Sequence, residues 1–433
     1  MGIYPSRLQW VHKAVAEVDS SFGEIAVRGR LLDLDKDQGR IMDESGEVDF
    51  RCEYEPTGIK AGDFVEINGV VGEAGFTVTQ VRLLASANGE WSGGDWERFN
   101  GAGKSLRRNL YVRARILDAV HRFFYQRNFI AVETPVLVRA SAQEEHIRLF
   151  STQYRREGTT EAENFYLAPS PELYMKRMLG VGLERIFQIS RSFRNGETGA
   201  FHNPEFTLIE WYRAYASYEE IIHDVESLVA FVAAEVLGQQ TISRSGKEID
   251  LRPPWERITV HRAFARWADI DLGACATRAA LLRRARELGY GSARPEDSWE
   301  DLFHKILLER VEPHLAEIGA VHLVDYPRQL AALAKMKEGY PAIAERAEAY
   351  VGGVELSNGY TELNDPNEQY LRFVEGARSD LTAEYPPFDQ DFLAAMERGF
   401  PPAGGVALGM DRLVMLIAGV AKLDQVIAFP LEA

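Results

Sequence analysis

Two segments of the sequence place arginine, glutamate and histidine side chains where predicted strands and a predicted helix begin or end. In Ser170-Pro-Glu-Leu-Tyr-Met-Lys-Arg, the serine, the proline and the early glutamate are typical of a helix start, which alone would account for them. From Arg191 to Tyr212, apolar and polar residues alternate in two runs joined by a long turn. Arg194 ends the first run, where its guanidinium could bind an oxyanion through two hydrogen bonds; a surface hairpin with salt bridges is the alternative.

Two further segments carry carboxylates and a glycine-rich run. Glu355 and Glu362 lie seven residues apart around Asn358-Gly359, and we expect a turn there to bring the two carboxylates together. Paired carboxylates beside a triphosphate would hold Mg²⁺, and a solvated hairpin is the alternative. The run from Gly404 to Gly419 predicts a strand that enters a helix, where small residues let a flat ligand approach the backbone. Arg412 could stack on a base there, although tight strand–helix packing would explain the same pattern.

The composition narrows the class of protein. The chain has 433 residues, which is too many for one ordinary core, so two or three domains are expected. The formal net charge of −16 argues against broad affinity for nucleic acid. The two cysteines, Cys52 and Cys275, are far apart and give neither a disulfide framework nor a metal spacing, which fits a reducing cytoplasm. No apolar run reaches the length of a membrane span, and residues 1–8 do not resemble a signal peptide.

The elements that must position these side chains fall into two parts. Residues 22–86 alternate in short runs, and closely spaced strands of this kind predict a small β-barrel similar to an OB-fold. We expect this barrel to span residues 1–86, a glycine-rich linker to span 87–104, and an α+β catalytic domain to span 105–433. In the last part, helices are predicted near residues 112–123, 217–237 and 277–288, and strands near 187–194, 206–212, 320–325, 349–361 and 404–409.

In their order along the chain, these segments resemble the motifs of class II aminoacyl-tRNA synthetases of the aspartate, asparagine and lysine group. Phe129-Ile-Ala-Val-Glu-Thr-Pro resembles the first motif, which is a dimer-interface element in that family. Phe193-Arg194 together with His202-Asn-Pro-Glu-Phe resembles the second motif, and Gly404–Leu416 resembles the third. The resemblance extends over about residues 107–430. It implies an antiparallel sheet flanked by helices, a homodimer, and formation of an aminoacyl-adenylate from ATP with Mg²⁺.

The resemblance also implies a role for individual residues. Arg194 would bind the α-phosphate, Phe206 and Arg412 would sandwich the adenine, and Glu355 with Glu362 would hold Mg²⁺. Catalytic roles are therefore expected for Arg194, Glu355 and Arg412. The other residues expected to bind ATP are Asn195, Gly196, His202, Asn203, Phe206, Leu356 and Gly409. The residues expected to bind the amino acid are Ser170, Pro171, Glu172, Tyr212, Asn358, Glu362 and Ala407.

Within the group, Pro171-Glu-Leu-Tyr-Met-Lys-Arg and Glu355-Leu-Ser-Asn-Gly-Tyr-Thr-Glu-Leu-Asn-Asp are similar to the lysine branch. That branch contains lysyl-tRNA synthetases and the ligase that attaches (R)-β-lysine to translation elongation factor P. Ser170 and Ala407 resemble the elongation factor ligase, because the tRNA enzymes usually have alanine and glycine at these positions. We therefore expect a ligase for lysine or β-lysine with elongation factor P as acceptor. The alternatives are a lysyl-tRNA synthetase and a paralogue that is non-catalytic or serves another acceptor.

Two features depart from the elongation factor ligases. Those ligases normally lack an N-terminal barrel, but residues 22–86 suit anticodon binding poorly. They contain 7 Arg/Lys and 13 Asp/Glu, a net charge of 7 − 13 = −6, and few aromatic side chains on which bases could stack. The second departure is Gly196, which stands where the family usually has a glutamate that contacts the adenine. Glu197 follows one place later, so either the loop shifts to bring Glu197 in or the contact is weaker.

Overall fold

The computed structural model describes residues 11–18, 23–101, 106–142, 147–378 and 388–431. The chain divides into two compact units, one before residue 106 and one from Leu106 onward. Within the described ranges, no helix is long and apolar enough to cross a membrane. Residues 1–8, for which no signal peptide is expected, and residues 102–104 of the predicted linker lie outside those ranges.

The N-terminal unit is built from a sheet whose strand pairings close on themselves. Its strands are Val11–His12, Gly23–Asp35, Gln38–Met42, Glu47–Cys52, Phe64–Gly72 and Gly75–Ala85. From the second strand the pairings run through the third, fourth, sixth and fifth strands, and the fifth pairs with the second again. Val27, Ile41, Val65 and Val78 are fully buried within this circuit because alternate residues of each strand point inward. The predicted linker is not wholly irregular, since it contains the short helix Asp95–Asn100.

The second unit is organised around a nine-stranded sheet. In spatial order the strands are Glu256–Thr259, Ala320–Pro327, Tyr340–Val351, Val354–Thr361, Ala403–Gly409, Glu205–Ala214, Arg185–Phe193 and Ile130–Ala131, with Met336–Lys337 beside Tyr340–Val351. The pairings are antiparallel except those of the first two strands and of the last two. The expected antiparallel sheet flanked by helices is therefore confirmed. Smaller sheets are formed by Leu137–Val138, Ser151–Arg155 and Ala162–Leu167, and by Thr241–Arg244 and Lys247–Asp250.

Helices cover one face of the central sheet. The α-helices of the unit are Leu106–Tyr125, Glu172–Gly180, Tyr218–Leu237, Val260–Ala263, Arg278–Glu287, Trp299–Ile306, Glu312–Ile318, Pro366–Arg378, Gln390–Glu397 and Met410–Ala418. The predictions near 112–123, 217–237 and 277–288 are confirmed. Ser217 caps the helix Tyr218–Leu237 by accepting a hydrogen bond from the backbone N–H of Glu219. Phe124 packs between Phe187 and Trp211 of the sheet, and all three side chains are fully buried.

The opposite face of the sheet carries polar side chains because residues alternate along each strand. On the strand Glu205–Ala214, Ile209 and Trp211 belong to the core, whereas Glu210 and Tyr212 lie on the other face. The turn predicted at Asn358-Gly359 is wrong. Both residues belong to the continuous strand Val354–Thr361 and pair with Ala403–Gly409.

Candidate active site

A cavity of about 820 Å³ opens on the polar face of the central sheet. Two rows of cross-strand neighbours form its floor: Arg346, Tyr360, Gly405 and Tyr212, and next to them Glu348, Asn358, Ala407 and Glu210. One end of the cavity is lined by Ser170, Glu172, Glu210, Tyr212 and Tyr360 and is called the carboxylate end below. The other end is lined by Arg194, Glu197, His202, Phe206, Glu355 and Arg412 and is called the arginine end. The volume is within the range of small-molecule sites.

The carboxylate end is built around Glu210, which is 1% exposed. Ser170 donates a hydrogen bond to its Oε1 at 2.7 Å, and the Tyr212 hydroxyl donates to its Oε2 at 2.9 Å. Burial, and then the nearby charge of Glu172, raise the pKa of Glu210 to about 8. A buried carboxylate of this kind ionises readily only when a cation sits beside it, so this end is suited to an ammonium group.

Glu172 lies at the start of the helix Glu172–Gly180 and lines the same end. Its backbone N–H donates to Ser170 Oγ at 3.0 Å, which ties the helix start to the serine that also holds Glu210. The Tyr360 hydroxyl donates a hydrogen bond to Glu172 Oε1. Glu172 Oε1 also accepts from the Nζ of Lys176 at 2.5 Å, so both hydroxyl donors and a buried lysine hold the carboxylates at this end of the cavity.

Gly405 lies between Tyr212 and Tyr360 on the cavity floor. A Cβ at this position would lie 2.3 Å from Glu362 Oε1 and 2.4 Å from the Tyr212 ring. Glycine is therefore required here by the close approach of the two side chains. Ala407 lies in the neighbouring row, between Glu210 and Asn358, so its methyl group belongs to the floor beside the buried carboxylate.

The structure does not bring Glu362 and Glu355 together, although the sequence predicts a shared metal ion. Seven steps of roughly 3.3 Å along one strand put their backbones about 23 Å apart, because the strand Val354–Thr361 has no turn. The Oε2 of Glu362 instead lies 2.5 Å from the Nζ of the buried Lys176. Neither Glu362 nor Pro171 is among the described residues that line the cavity. The arrangement therefore does not favour direct contact between their side chains and a ligand.

Arg412 anchors the arginine end. Its NH1 donates to the backbone oxygen of Glu355 at 2.7 Å and lies 3.3 Å from Glu355 Oε2. NH2 lies 3.0 Å from His202 Nε2. Burial, and then the neighbouring Arg412, lower the pKa of His202, which favours a neutral imidazole at this contact.

The neighbouring Asp411 fixes this helix start to the rest of the site. It accepts hydrogen bonds from the Thr207 backbone N–H at 2.7 Å and from Arg113 NH1 at 2.5 Å. Gly409 precedes the helix Met410–Ala418 and lines the cavity beside Arg412. The strand–helix junction therefore delivers the arginine to a set position in the cavity.

Arg194 follows the strand Arg185–Phe193 and reaches the same end. Its guanidinium carbon lies 5.2 Å from the centre of the Phe206 ring, and its NH1 lies 3.8 Å from Glu197 Oε1. Within the described part of the chain, the buried Nε of Arg194 has no hydrogen-bond partner. An arginine with a free donor in a cavity is available for an anionic ligand.

The loop after Arg194 contains Gly196, where the family usually has a glutamate, and Glu197. Gly196 adopts φ +84°, a left-handed conformation that favours glycine, and it is not among the described residues that line the cavity. Glu197 does line it. Asn195 is tied by its N–H to the backbone oxygen of Arg148 at 2.8 Å. The arrangement thus favours the first of the two expectations, in which Glu197 enters the site.

The side chains of Asn203 and Leu356 make contacts within the protein next to the cavity. Asn203 donates to the Glu205 backbone oxygen at 2.5 Å and accepts from the Leu431 N–H at 3.2 Å, so both polar atoms of its side chain already have protein partners. Leu356 is 1% exposed, and its side chain belongs to the core on the other face of the sheet. Any ligand contact of Leu356 would therefore come from its backbone.

Three carboxylates lie near one another beyond Arg412. Glu348 and Glu355 both line the cavity. Burial, and then the charges of Glu355 and Glu348, raise the pKa of Glu312 to about 7. Glu348 is held by Arg346 NH2 at 2.8 Å and by the Tyr350 hydroxyl at 2.9 Å. No group of three or more acidic, histidine or cysteine side chains in the described ranges has the arrangement of a metal site. Mg²⁺ would fit here only in its usual protein setting, on one or two carboxylates together with ligand phosphates.

Several of these residues were missed by the sequence reasoning. They are Lys176, Glu210, Arg346, Glu348 and Tyr360. A signal for Glu210 was present, since Glu210 and Tyr212 are two residues apart on a predicted strand and must share a face. Glu348 had no such signal, because its partner in the cavity lies on a neighbouring strand.

Comparison with known proteins agrees with this architecture. The profile of the family "tRNA synthetases class II (D, K and N)" matches residues 100–433. A lysine–tRNA ligase of Pelotomaculum thermopropionicum is 38% identical over 74% of the chain and 62% of its own length. Lysine–tRNA ligases of Moorella thermoacetica and Chloroflexus aurantiacus are 33% and 32% identical over 94% and 99% of the chain, and over 88% and 94% of their own lengths. The chain thus spans less than two thirds of some relatives and most of others.

Proposed function

The chain belongs to the class II tRNA synthetases of the aspartate, lysine and asparagine group, and we propose that it activates lysine or (R)-β-lysine with ATP and transfers it to a lysine of translation elongation factor P. The expected class of enzyme, an ATP-dependent ligase, agrees with the matched family and with the names of the relatives. The observation that carries the choice of lysine is the pair of carboxylates, Glu172 and Glu210, at one end of the cavity.

Lysine suits this end because it brings two ammonium groups. The pocket offers Glu210, held by Ser170 and Tyr212, and Glu172, held by Tyr360. A neutral amino-acid side chain would lack the charge-assisted hydrogen bond that an ammonium group makes to one of these carboxylates, which contributes about 1.5–3 kcal/mol. The printed names of the relatives also favour lysine.

ATP would occupy the arginine end. Arg194 would bind the α-phosphate, and Arg412 with Phe206 would contact the base. All three side chains line this end of the cavity, which supports the assignment. The amino-acid carboxylate would attack the α-phosphorus, a P–O bond would form, and pyrophosphate would leave. Because no covalent bond to the protein is needed, positioning and charge neutralisation supply the catalysis.

Mg²⁺ would be held by Glu355 and Glu348 together with the phosphates of ATP. These carboxylates line the cavity next to Arg412, and together they raise the pKa of Glu312. When bound, the ion would neutralise phosphate charge. Arg412, which already contacts Glu355, would add a second positive group at the same place.

For the transfer step, the amine of the acceptor lysine would attack the acyl carbon of the adenylate. An amide bond would form, AMP would leave, and the amine would lose a proton.

The preference for an elongation factor acceptor rests on Ser170 and Ala407 and on the N-terminal unit. Among the described residues of that unit, Phe50 and Phe76 are buried, and Tyr54 and Phe64 are the large aromatic side chains of its strands and turns that stay exposed, at 43% each. The Arg30 guanidinium lies over one face of the Phe64 ring at 4.4 Å.

Several arginines of the N-terminal unit form ion pairs with carboxylates of the same unit. Arg40 lies 2.8 Å from Asp33 and 3.6 Å from Glu47, and Arg51 lies 2.8 Å from Asp37. The carboxylates beside these arginines repel a phosphate backbone and offset part of the attraction of the guanidinium groups. The closed circuit of strand pairings in this unit supports an OB-like barrel. The acidic balance of its residues supports a use other than reading an anticodon.

Transfer to tRNA is the second candidate function, and the relatives' names favour it. The two acceptors can be compared directly by offering radiolabelled lysine or (R)-β-lysine with ATP to the full chain, together with either elongation factor P or tRNA. We expect label on the elongation factor. Efficient charging of tRNA with α-lysine would overturn the preferred acceptor while leaving lysine activation in place.

Activation itself is tested by Arg194→Ala in lysine-dependent exchange of pyrophosphate into ATP. Loss of the guanidinium removes the proposed α-phosphate ligand, so exchange should fall by roughly 100-fold or more, as for other groups that stabilise developing charge. Arg191→Ala is a matched control, because Arg191 is an exposed arginine on the preceding strand, 3.9 Å from Glu205. Undiminished exchange by Arg194→Ala would disprove the proposed active site.

We also propose a cytoplasmic homodimer. Large apolar side chains are exposed on the helix Leu106–Tyr125 and on the segment after it, in the region that resembles the dimer motif. They are Tyr111, Tyr125, Ile130, Val136 and Leu137, each at least 39% exposed. A second subunit would remove this surface from water. Sedimentation that shows only monomers would contradict the dimer.

A further inference from the structure

The helix Arg278–Glu287 carries a concentration of positive charge that the proposed reaction does not use. It contains four arginines and one acidic residue, which gives the helix a net charge of 4 − 1 = +3 in a chain whose formal net charge is −16. Leu281 and Ala285 are fully buried, so the helix packs on one side and presents the other side to solvent. The arginines are Arg278, Arg283, Arg284 and Arg286.

Two of these arginines are available for an external partner. Arg284 lies 2.6 Å from Asp269 Oδ2 and 3.6 Å from Glu287 Oε2, so its charge is taken up within the protein. Arg283 and Arg286 are exposed, and in the described ranges neither forms a hydrogen bond or an ion pair. Their guanidinium groups are therefore free to bind carboxylates of another molecule.

Arg278 lies on the same side of the helix as these two residues. The surface depression on that side is lined by Arg278, Ala279, Leu282, Arg283, Arg286 and Glu287. The Nε of Arg278 donates to the backbone oxygen of Asp297 at 2.7 Å, which leaves the positive charge of the guanidinium in place. The carboxylate of Asp297 is itself paired with Lys305 at 2.7 Å. Three guanidinium groups therefore lie along one side of the helix, over about 12 Å at a rise of about 1.5 Å per residue.

The start of this helix lies beside the rim of the active-site cavity. Gln329 is exposed and lines the cavity, and its Nε2 donates to the backbone oxygen of Ala276 at 2.7 Å, two residues before Arg278. On the other side, Arg278 contacts Asp297, and Glu300, three residues after Asp297, also lines the cavity. The positive charge is therefore next to the entrance through which a second substrate reaches the site.

The acceptor has to bring its amine across this rim to reach the adenylate. A lysine amine belongs to a folded protein, so the surface around that lysine must face the surface around the cavity entrance. Positive charge on one of these surfaces favours negative charge on the other, and such complementarity raises the rate of productive encounter. A tRNA is also acidic, but its phosphates need contacts over a longer surface than one helix side of about 12 Å, and the chain as a whole is acidic.

We propose that Arg278, Arg283 and Arg286, called the basic face below, form a docking surface for an acidic region of the acceptor protein and guide its lysine to the cavity. The inference rests on the proposed transfer to a lysine of elongation factor P. Neither Arg283 nor Arg286 is among the described residues that line the cavity. The basic face therefore acts on the encounter with the acceptor protein and not on formation of the adenylate.

The test measures two reactions of the full chain in the same preparations. The first is transfer of labelled lysine or (R)-β-lysine to elongation factor P, from which kcat/KM for the elongation factor is obtained. The second is lysine-dependent exchange of pyrophosphate into ATP. The informative variant is Arg283→Glu with Arg286→Glu, since both side chains are exposed. The matched control is Arg252→Glu with Arg398→Glu, which reverses the charge of two exposed arginines outside this helix and outside the described cavity lining.

We expect the Arg283→Glu, Arg286→Glu variant to lower kcat/KM for elongation factor P by roughly tenfold or more at low ionic strength. The difference should shrink as salt is added, because salt screens attraction between exposed charges. Pyrophosphate exchange should be unchanged, and the control variant should match the unchanged protein in both reactions. If the charge-reversal variant does not fold, Arg283→Gln with Arg286→Gln decides, with a smaller loss of the same kind expected.

Three results would overturn the inference while leaving the proposed function in place. They are an unchanged kcat/KM for elongation factor P in the charge-reversal variant, a loss that salt does not reduce, and an equal loss in the control variant. The proposed function fails in other ways. Without lysine-dependent exchange by the unchanged protein, lysine activation is wrong. If the unchanged protein shows exchange but labels tRNA instead of elongation factor P, the proposed acceptor is wrong, and the docking surface fails with it.

Discussion

Replacing Glu210 by glutamine removes a buried charge and keeps the shape of the side chain. In the free protein the pKa of Glu210 is about 8. At pH 7 the carboxyl must lose its proton before it can pair with an ammonium group, which costs about 1.4 kcal/mol and weakens lysine binding about tenfold. KM for lysine should therefore fall about tenfold between pH 6 and 7 and become constant above about pH 8.

Glu210→Gln should abolish this pH dependence, since the amide does not titrate. At pH 8 it should raise KM for lysine by roughly 10- to 100-fold, because a charge-assisted hydrogen bond contributes about 1.5–3 kcal/mol. The assay is lysine-dependent pyrophosphate exchange between pH 6 and 9, with Glu205→Gln, an exposed glutamate at the start of the same strand, as control. A pH-independent KM in the unchanged protein, or a pH dependence retained in Glu210→Gln, would refute the assignment of Glu210.

Three further results are expected. The folded-state pKa of Glu210 exceeds its usual value of 4.5, so the proton that it binds stabilises the fold at low pH. That contribution declines as the pH rises from about 4.5 to 8. Calorimetry should show a smaller decline in stability for Glu210→Gln than for the unchanged protein. Gly405→Ala should lower the free energy of unfolding by about 1–3 kcal/mol and raise KM for lysine, since its Cβ would meet Glu362 and Tyr212; normal stability and KM would show that the floor has room. Glu355→Gln should raise the Mg²⁺ concentration needed for half-maximal exchange several-fold, whereas Glu235→Gln, on the helix Tyr218–Leu237 and paired with Arg122, should not. Equal Mg²⁺ dependence in both variants and the unchanged protein would remove Glu355 from the metal site.

The sequence was most informative where a local pattern determines a local structure. Alternation between Phe187 and Arg194 and again after Phe206 predicted the two central strands, which pair as expected. Ser217 and Thr277 likewise marked helix starts that the structure has. Arg194 and Arg412 could be singled out because strand ends and helix starts are visible in the sequence, and both side chains line the cavity.

Pairings between strands distant in sequence could not be predicted in the same way. Asn358-Gly359 has the composition of a turn, but hydrogen bonds to the strand Ala403–Gly409 keep it extended. That one difference separates Glu355 from Glu362. It also explains why Glu348 escaped notice, since Glu348 and Glu355 lie on neighbouring strands, where a bulge near Ala349 and Tyr350 sets the register.

Lys176 shows a second limit of the sequence. Its spacing of four residues from Glu172 is the ordinary spacing of a surface salt bridge on a helix. Only the packing of that helix against Tyr360 and Glu362 makes the lysine a buried charge. Burial is a property of the assembled sheet and helices, and it changes a common surface pair into a buried one.

The most direct test of lysine activation is the amino-acid dependence of pyrophosphate exchange into ATP by the full chain. The carboxylate end predicts exchange with lysine or (R)-β-lysine, and little with norleucine, which has the same length but lacks the side-chain ammonium group and would leave a buried carboxylate unpaired. Exchange with aspartate or asparagine in place of lysine, or equal exchange with norleucine, would contradict the account.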